Sequence, residues 1–177
     1  MPTKIEGKVS FDLDTDHYAA IGRVANEWAH FEFDLDYTIW TLAEIRNRGY
    51  GACITAQLPS SARRMNAIAA LISEHEGSKD LKKEFNKFAE RTNVMTKVRN
   101  RIIHDSWGKM ASGQHARLEI TAEKKLEFSH KTVSTEEVWK RSEEIRGHRE
   151  AFKILRNKIF KELGFKALRL TSPGTPP

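Results

Sequence analysis

The chain has 177 residues, with 30 lysines and arginines against 24 aspartates and glutamates, a formal excess of +6 and a pI of about 9.5. With 39% hydrophobic residues it can fill a core, which argues against intrinsic disorder, and its one cysteine, Cys53, excludes an internal disulfide framework and a multi-cysteine zinc site. The apolar runs are too short to span a bilayer and the N-terminus is polar and acidic, so the expectation is a cytoplasmic protein with one domain over residues 1–170 and a disordered tail over 171–177.

The excess charge is concentrated. Between Lys140 and Arg169 ten basic residues face four glutamates, and the rest of the chain is balanced. Such a segment either forms a solvated helix face or attracts a phosphate backbone.

The first predicted helix follows Asp14, Thr15 and Asp16, which suit an N-terminal cap, and carries Tyr18, Ile21, Ala25, Trp28, Leu35, Ile39 and Leu42 at helical spacing up to Gly49. A linker, GYGACITAQLP, leads to a second helix over about 61–76, apolar at Met65, Ile68, Ala69 and Ile72 and stopped by Gly77. Cys53 within that linker reads as a small core residue. The third helix starts near Asp80 and keeps its period through Leu81, Phe85, Phe88, Met95, Val98, Ile102 and Ile103 to His104, where Ser106, Trp107 and Gly108 stop it.

Residues 116–133 alternate apolar with polar on either side of Glu123-Lys124, the pattern of a two-stranded hairpin. Ser134 and Glu137 then form an S-x-x-E capping box for a last helix with Val138, Ile145, Phe152 and Ile159 spaced by sevens and Gly164 at its end. The fold class expected is mainly α: an up-and-down bundle of four main helices with a β-hairpin before the last one.

No phosphate-binding glycine loop, H-E-x-x-H, C-x-x-C or G-x-S-x-G occurs, and the seven histidines never pair at i, i+3 or i, i+4, so no cofactor and no metal site is expected. What stands out is KVRNRIIHDSW at the end of the third helix. Arg99 falls on the apolar stripe four residues after Met95, and Asn100 and His104 are four apart on one face. His104 ends the helix, where the macrodipole favours positive charge. An arginine for phosphate, a histidine that exchanges protons near neutrality and an amide to orient it suit phosphodiester chemistry.

Arg99-Asn100-Arg101-Ile102-Ile103-His104 reads R-N-x-x-x-H and resembles the R-x4-6-H signature of HEPN domains, helical proteins many of which are ribonucleases. The segment IGRVANEWAHFEFDL, with its Trp28 and Glu32, is similar as well; the hairpin departs from the minimal family bundle. The resemblance implies a metal-independent endoribonuclease working as a homodimer, with the motifs of two subunits facing across a cleft. Arg99, Asn100 and His104 are then catalytic, the products carry a 2′,3′-cyclic phosphate, and a role as a toxin or in phage defence, with an antitoxin of the nucleotidyltransferase type, fits the family. The other readings are a non-catalytic RNA- or nucleotide-binding module of the same family and a helical interaction scaffold.

Around this motif, Glu32 is expected within the apolar stripe of the first helix and in need of a cation, for which Arg99 is the natural partner, either to aim the guanidinium or simply to neutralise two charges. Ser106 is a supporting hydroxyl or a helix terminator. Arg101 forms a surface pair with Asp105 or touches RNA, and Trp107 stacks a base or packs on the hairpin. Arg149, Lys153 and Arg156 of the basic segment complete the RNA-binding candidates.

Overall fold

The computed structural model describes residues 10–121 and 126–166. The turn at Glu123-Lys124 and the tail over 171–177 lie outside the described residues. Among the described residues the fold is mainly helical, 69%, with five helices and a three-stranded antiparallel sheet before the last of them. In order these are α1 (Thr15–Leu42), α2 (Arg48–Thr55), α3 (Ser61–Glu74), α4 (Lys79–His104), β1 (Ser106–Lys109), β2 (His115–Thr121), β3 (Glu127–Thr132) and α5 (Thr135–Glu162). No described helix is long and apolar enough to cross a membrane.

The expected helix–hairpin order holds, with corrections that have local causes. The first helix stops at Leu42, not Gly49. Glu44 takes the left-handed conformation (φ 55°), and the Glu44 and Ile45 N–H groups donate back to the Thr41 and Trp40 carbonyls, which satisfies the orphan acceptors of the last turn. Glu76 (φ 57°) ends α3 in the same way, and Gly77 follows it because a Cβ there would lie 2.7 Å from Ile72 Cγ2 and 2.9 Å from the Ile72 carbonyl oxygen. Glutamate at a left-handed position is not a pattern that signals a stop. The linker contains α2, capped by the Asn47 side chain accepting from the Tyr50 N–H; Cys53 on it is exposed, so it is no core residue. Ser106, Trp107 and Gly108 stop α4 by entering β1, so the hairpin becomes a three-stranded sheet.

Two compact units can be distinguished, one of residues up to His30 with Val94–His148, the other of Phe31–Asn93 with the residues from Arg149. In the second unit Phe31, Leu35, Ile39 and Leu42 of α1, Met65, Ile68 and Ile72 of α3, Leu81, Phe85 and Phe88 of α4 and Phe152, Leu155 and Ile159 of α5 are buried. Phe31 meets Phe152 edge-on at 5.7 Å, and Phe88 meets it at 5.6 Å. Each such side chain contributes roughly 1.5–3 kcal/mol of burial. Buried Asp34 accepts from Arg149 at 2.7 Å and Arg156 at 3.0 Å, fastening α1 to α5, while Arg64 of α3 holds Asp36 at 2.6 Å.

In the first unit β2 is the central strand, pairing Trp107 with Arg117 on one side and Ile120 with Phe128 on the other. The buried residues include His17, Ala20, Val24, Glu27 and Trp28 of α1, Ile102 of α4, Trp107, Ala116 and Arg117 of the sheet, and Val138, Ser142 and Ile145 of α5. The buried face at the start of α1 is therefore His17/Ala20/Val24, one residue out of phase with the Tyr18/Ile21/Ala25 expectation, and Tyr18 is half exposed. The capping box forms as expected: Ser134 N–H donates to Glu137 Oε2 at 2.8 Å and Glu137 N–H to Ser134 Oγ at 3.2 Å.

Candidate active site at the end of helix α4

The last two turns of α4 bring Arg99, Asn100 and His104 together. Arg99 Nη1 donates to Asn100 Oδ1 at 3.0 Å and lies 3.4 Å from His104 Nε2. A guanidinium cannot accept a hydrogen bond, so the His104 nitrogen facing it is the one without a proton. The guanidinium carbon sits 5.8 Å from the centre of the Trp28 ring, a cation–π distance that fixes its plane, and Arg99 Nε is buried without a hydrogen-bond partner. The hydrogen bonds engage Nη1, and among the described residues Nη2 has no partner. His104 and Asn100 are exposed. The group thus has a fixed cation beside an accessible imidazole.

Three bonds hold the turn that carries His104. Trp107 Nε1–H donates to the Ile102 carbonyl at 2.8 Å, satisfying one of the four orphan acceptors at the helix C-terminus. Asp105 accepts from Arg117 of β2 at 2.8 Å and from Arg101 at 3.4 Å, and Arg117 also binds Glu119 at 2.5 Å. Arg117 is buried with two carboxylates, so its charge is compensated. Sequence reading assigned Asp105 to Arg101 alone and missed Arg117. The apolar–polar alternation of ARLEIT marks a strand and carries no sign that Arg117 is buried.

The remaining candidates are placed as follows. Glu32 is half-buried, and its partner is Arg64 at 3.9 Å, not Arg99 as expected. Arg64 serves Asp36, one turn on from Glu32, at the same time. Ser106 is exposed at the first position of β1, opposite Leu118. Trp107 is 9% exposed, with its ring edge-on to His17 at 4.7 Å and its N–H committed, which is the packing role. Arg101 keeps 40% of its side chain exposed. Arg149 and Arg156 bind Asp34, and Lys153 binds Glu150 at 2.7 Å; Arg141, Arg146 and Lys158 pair with Glu144, Glu143 and Glu84. Much of the basic excess in α5 is thereby locally neutralised.

A second polar cluster has no counterpart in the sequence reading. His17, fully buried, stacks on His115 with ring centres 4.1 Å apart, and its Nδ1 is 3.0 Å from Thr135 Oγ1. His115 Nε2 lies 3.0 Å from Asp14 Oδ2, and Lys109 donates to Asp14 Oδ1 at 2.7 Å. Burial, and then the neighbouring His115, push the His17 imidazole down to about 4, against weaker opposition from Asp14 and Asp16. The Lys109 hydrogen bond holds the Asp14 carboxyl below its ordinary value. These residues are distant in sequence and share no spacing that would have announced them. Among the described residues no group of three or more His, Cys, Asp or Glu is arranged to hold a metal ion.

No family model, curated protein or solved structure matches this chain.

Proposed function

We propose that the chain is a HEPN-like endoribonuclease that cleaves RNA phosphodiesters by attack of the ribose 2′-hydroxyl, without a metal ion. The observation that supports this reading is the approach of Arg99 Nη1 to both Asn100 Oδ1 and the bare His104 Nε2 on an exposed helix end. His104 Nε2 gives up its contact with Arg99 Nη1, turns its lone pair to the 2′-hydroxyl and takes that proton as the oxygen attacks phosphorus. The uncommitted donors of Arg99 bind the non-bridging oxygens and the charge that develops on them. Asn100 holds the guanidinium in register. The bond to the 5′-oxygen breaks, that oxygen is protonated, and the products are a 2′,3′-cyclic phosphate and a 5′-hydroxyl.

One imidazole performs one of the two proton transfers. A homodimer that sets two copies of the motif face to face supplies the second, with one His104 as base and the other as acid. The cytoplasm, an RNA target in the context of a toxin or of phage defence, and an antitoxin of the nucleotidyltransferase type belong to the same reading. Chemical analysis of RNA ends tests it: incubation in EDTA should yield 2′,3′-cyclic phosphate termini, and 3′-hydroxyl termini would contradict the attack by the 2′-oxygen.

A further inference from the structure

The His17 cluster suggests a device that acts on the end of α4. At neutral pH the imidazole of His17 fills a closed site: Thr135 Oγ1 at Nδ1, the His115 ring against its face, and the Trp107 ring edge-on at 4.7 Å. Its Nε2 is buried and has no hydrogen-bond partner. A neutral ring tolerates that as an unused acceptor; an imidazolium carries a second N–H that needs an acceptor, and none is there. The His115 ring, whose Nε2 lies 3.0 Å from Asp14 Oδ2, faces His17 across 4.1 Å and disfavours a charge on it.

We infer that the His17–His115 pair is an acid-sensitive latch, which holds Trp107, and through it the last turn of α4, at neutral pH and releases them in weakly acid solution. The groups around His17 agree with this direction. From α1 come Asp14 and Asp16; Asp14 is committed to Lys109 of β1 and His115 of β2, and Asp16 to the Trp139 indole of α5 at 3.4 Å. Glu136 of α5 is exposed, and its carboxyl is held below its ordinary value by hydrogen bonds from its own backbone and from Ser134 and, least, by His115. No carboxylate is therefore free to follow a proton onto His17. A protonated His17 must leave its site, which uncovers Trp107 and exposes its bond to Ile102 O, two residues before His104. The latch is independent of what His104 does; if His104 cuts RNA, the latch regulates it.

Hydrogen exchange of the full chain, labelled with 15N and corrected for intrinsic rates, reads the latch at the Trp107 indole N–H. With His17 held at about 4 in the closed form and about 6.5 when open, protection should fall between about 10- and 80-fold from pH 7.5 to 4.5. Amides of the Ile68 and Phe85 turns should not follow it. In His17→Phe, which keeps a ring but accepts no proton, the fall should vanish. If that variant does not fold, His115→Gln answers instead, because removing the second imidazole should move the fall to higher protection at the same pH. Flat protection in the wild type, an equal fall in His17→Phe, or an unmoved fall in His115→Gln would each overturn the latch.

Discussion

Trp107 donates its indole N–H to the Ile102 carbonyl at 2.8 Å, so the first residues of the sheet tie down the helix turn that presents His104. The bond joins residues only five apart, yet it is what turns a helix terminus into a fixed scaffold. Trp107→Phe keeps the ring against His17 and removes the donor, leaving a buried carbonyl unsatisfied. Urea unfolding should show a loss of about 1–2 kcal/mol, with the slope unchanged.

Stability should depend on pH through His17. Its folded-state value of about 4 lies below the ordinary 6.5, so the unfolded chain binds more protons between those limits. Stability is then complete above about pH 6.5 and declines as the pH falls toward 4, by up to about 3 kcal/mol from this group. His17→Phe should flatten that part of the profile. Asp14, held low by Lys109, loses its contribution only at still lower pH, so the two effects separate in a titration of urea midpoints.

Asp34 accepts from both Arg149 and Arg156, each within 3.0 Å. Asp34→Ala leaves two half-buried guanidiniums without their counter-charge. The expected loss is about 2–4 kcal/mol in thermal or urea unfolding, and Asp34→Asn should recover part of it. A variant with unchanged stability would mean that solvent already carries those charges.

Gly51 lies against the face of Trp40, where a Cβ would come within 2.9 Å of the indole ring. The Trp40 indole N–H is meanwhile held by Thr55 Oγ1 at 3.3 Å, which limits its escape. Gly51→Ala should cost about 1–3 kcal/mol by overpacking, although alanine is the better helix former. A stabilised variant would show that Trp40 moves aside freely.

The parts of the molecule legible in the sequence are those set by local physics. The period of Phe85, Phe88 and Ile102 marks α4 to its last residue, and Ser134 with Glu137 marks the start of α5. The R-N-x-x-x-H spacing also brings Arg99, Asn100 and His104 within contact, because one helix carries all three. What escaped depends on distant partners. The choice of Arg64 for Glu32, of Arg117 for Asp105 and of His115 for His17 is made by tertiary packing, and no spacing records it. The α1 register was misread for the same reason: His17 is polar by composition and apolar by placement, so the hydrophobic pattern pointed to its neighbour Tyr18. The linker from Gly49 reads as a loop because of Gly49 and Gly51, whereas Arg48–Thr55 fold as a helix because Asn47 caps them and Gly51 fits against Trp40.

The most direct measurement is digestion of single-stranded RNA in EDTA by the wild type and His104→Ala side by side, with the oligomeric state of both recorded. The account predicts cleavage by a dimeric wild type and a loss of at least about 100-fold in His104→Ala, with fold and dimer unchanged. Cleavage that persists in His104→Ala, or a wild type that leaves RNA intact, would contradict it.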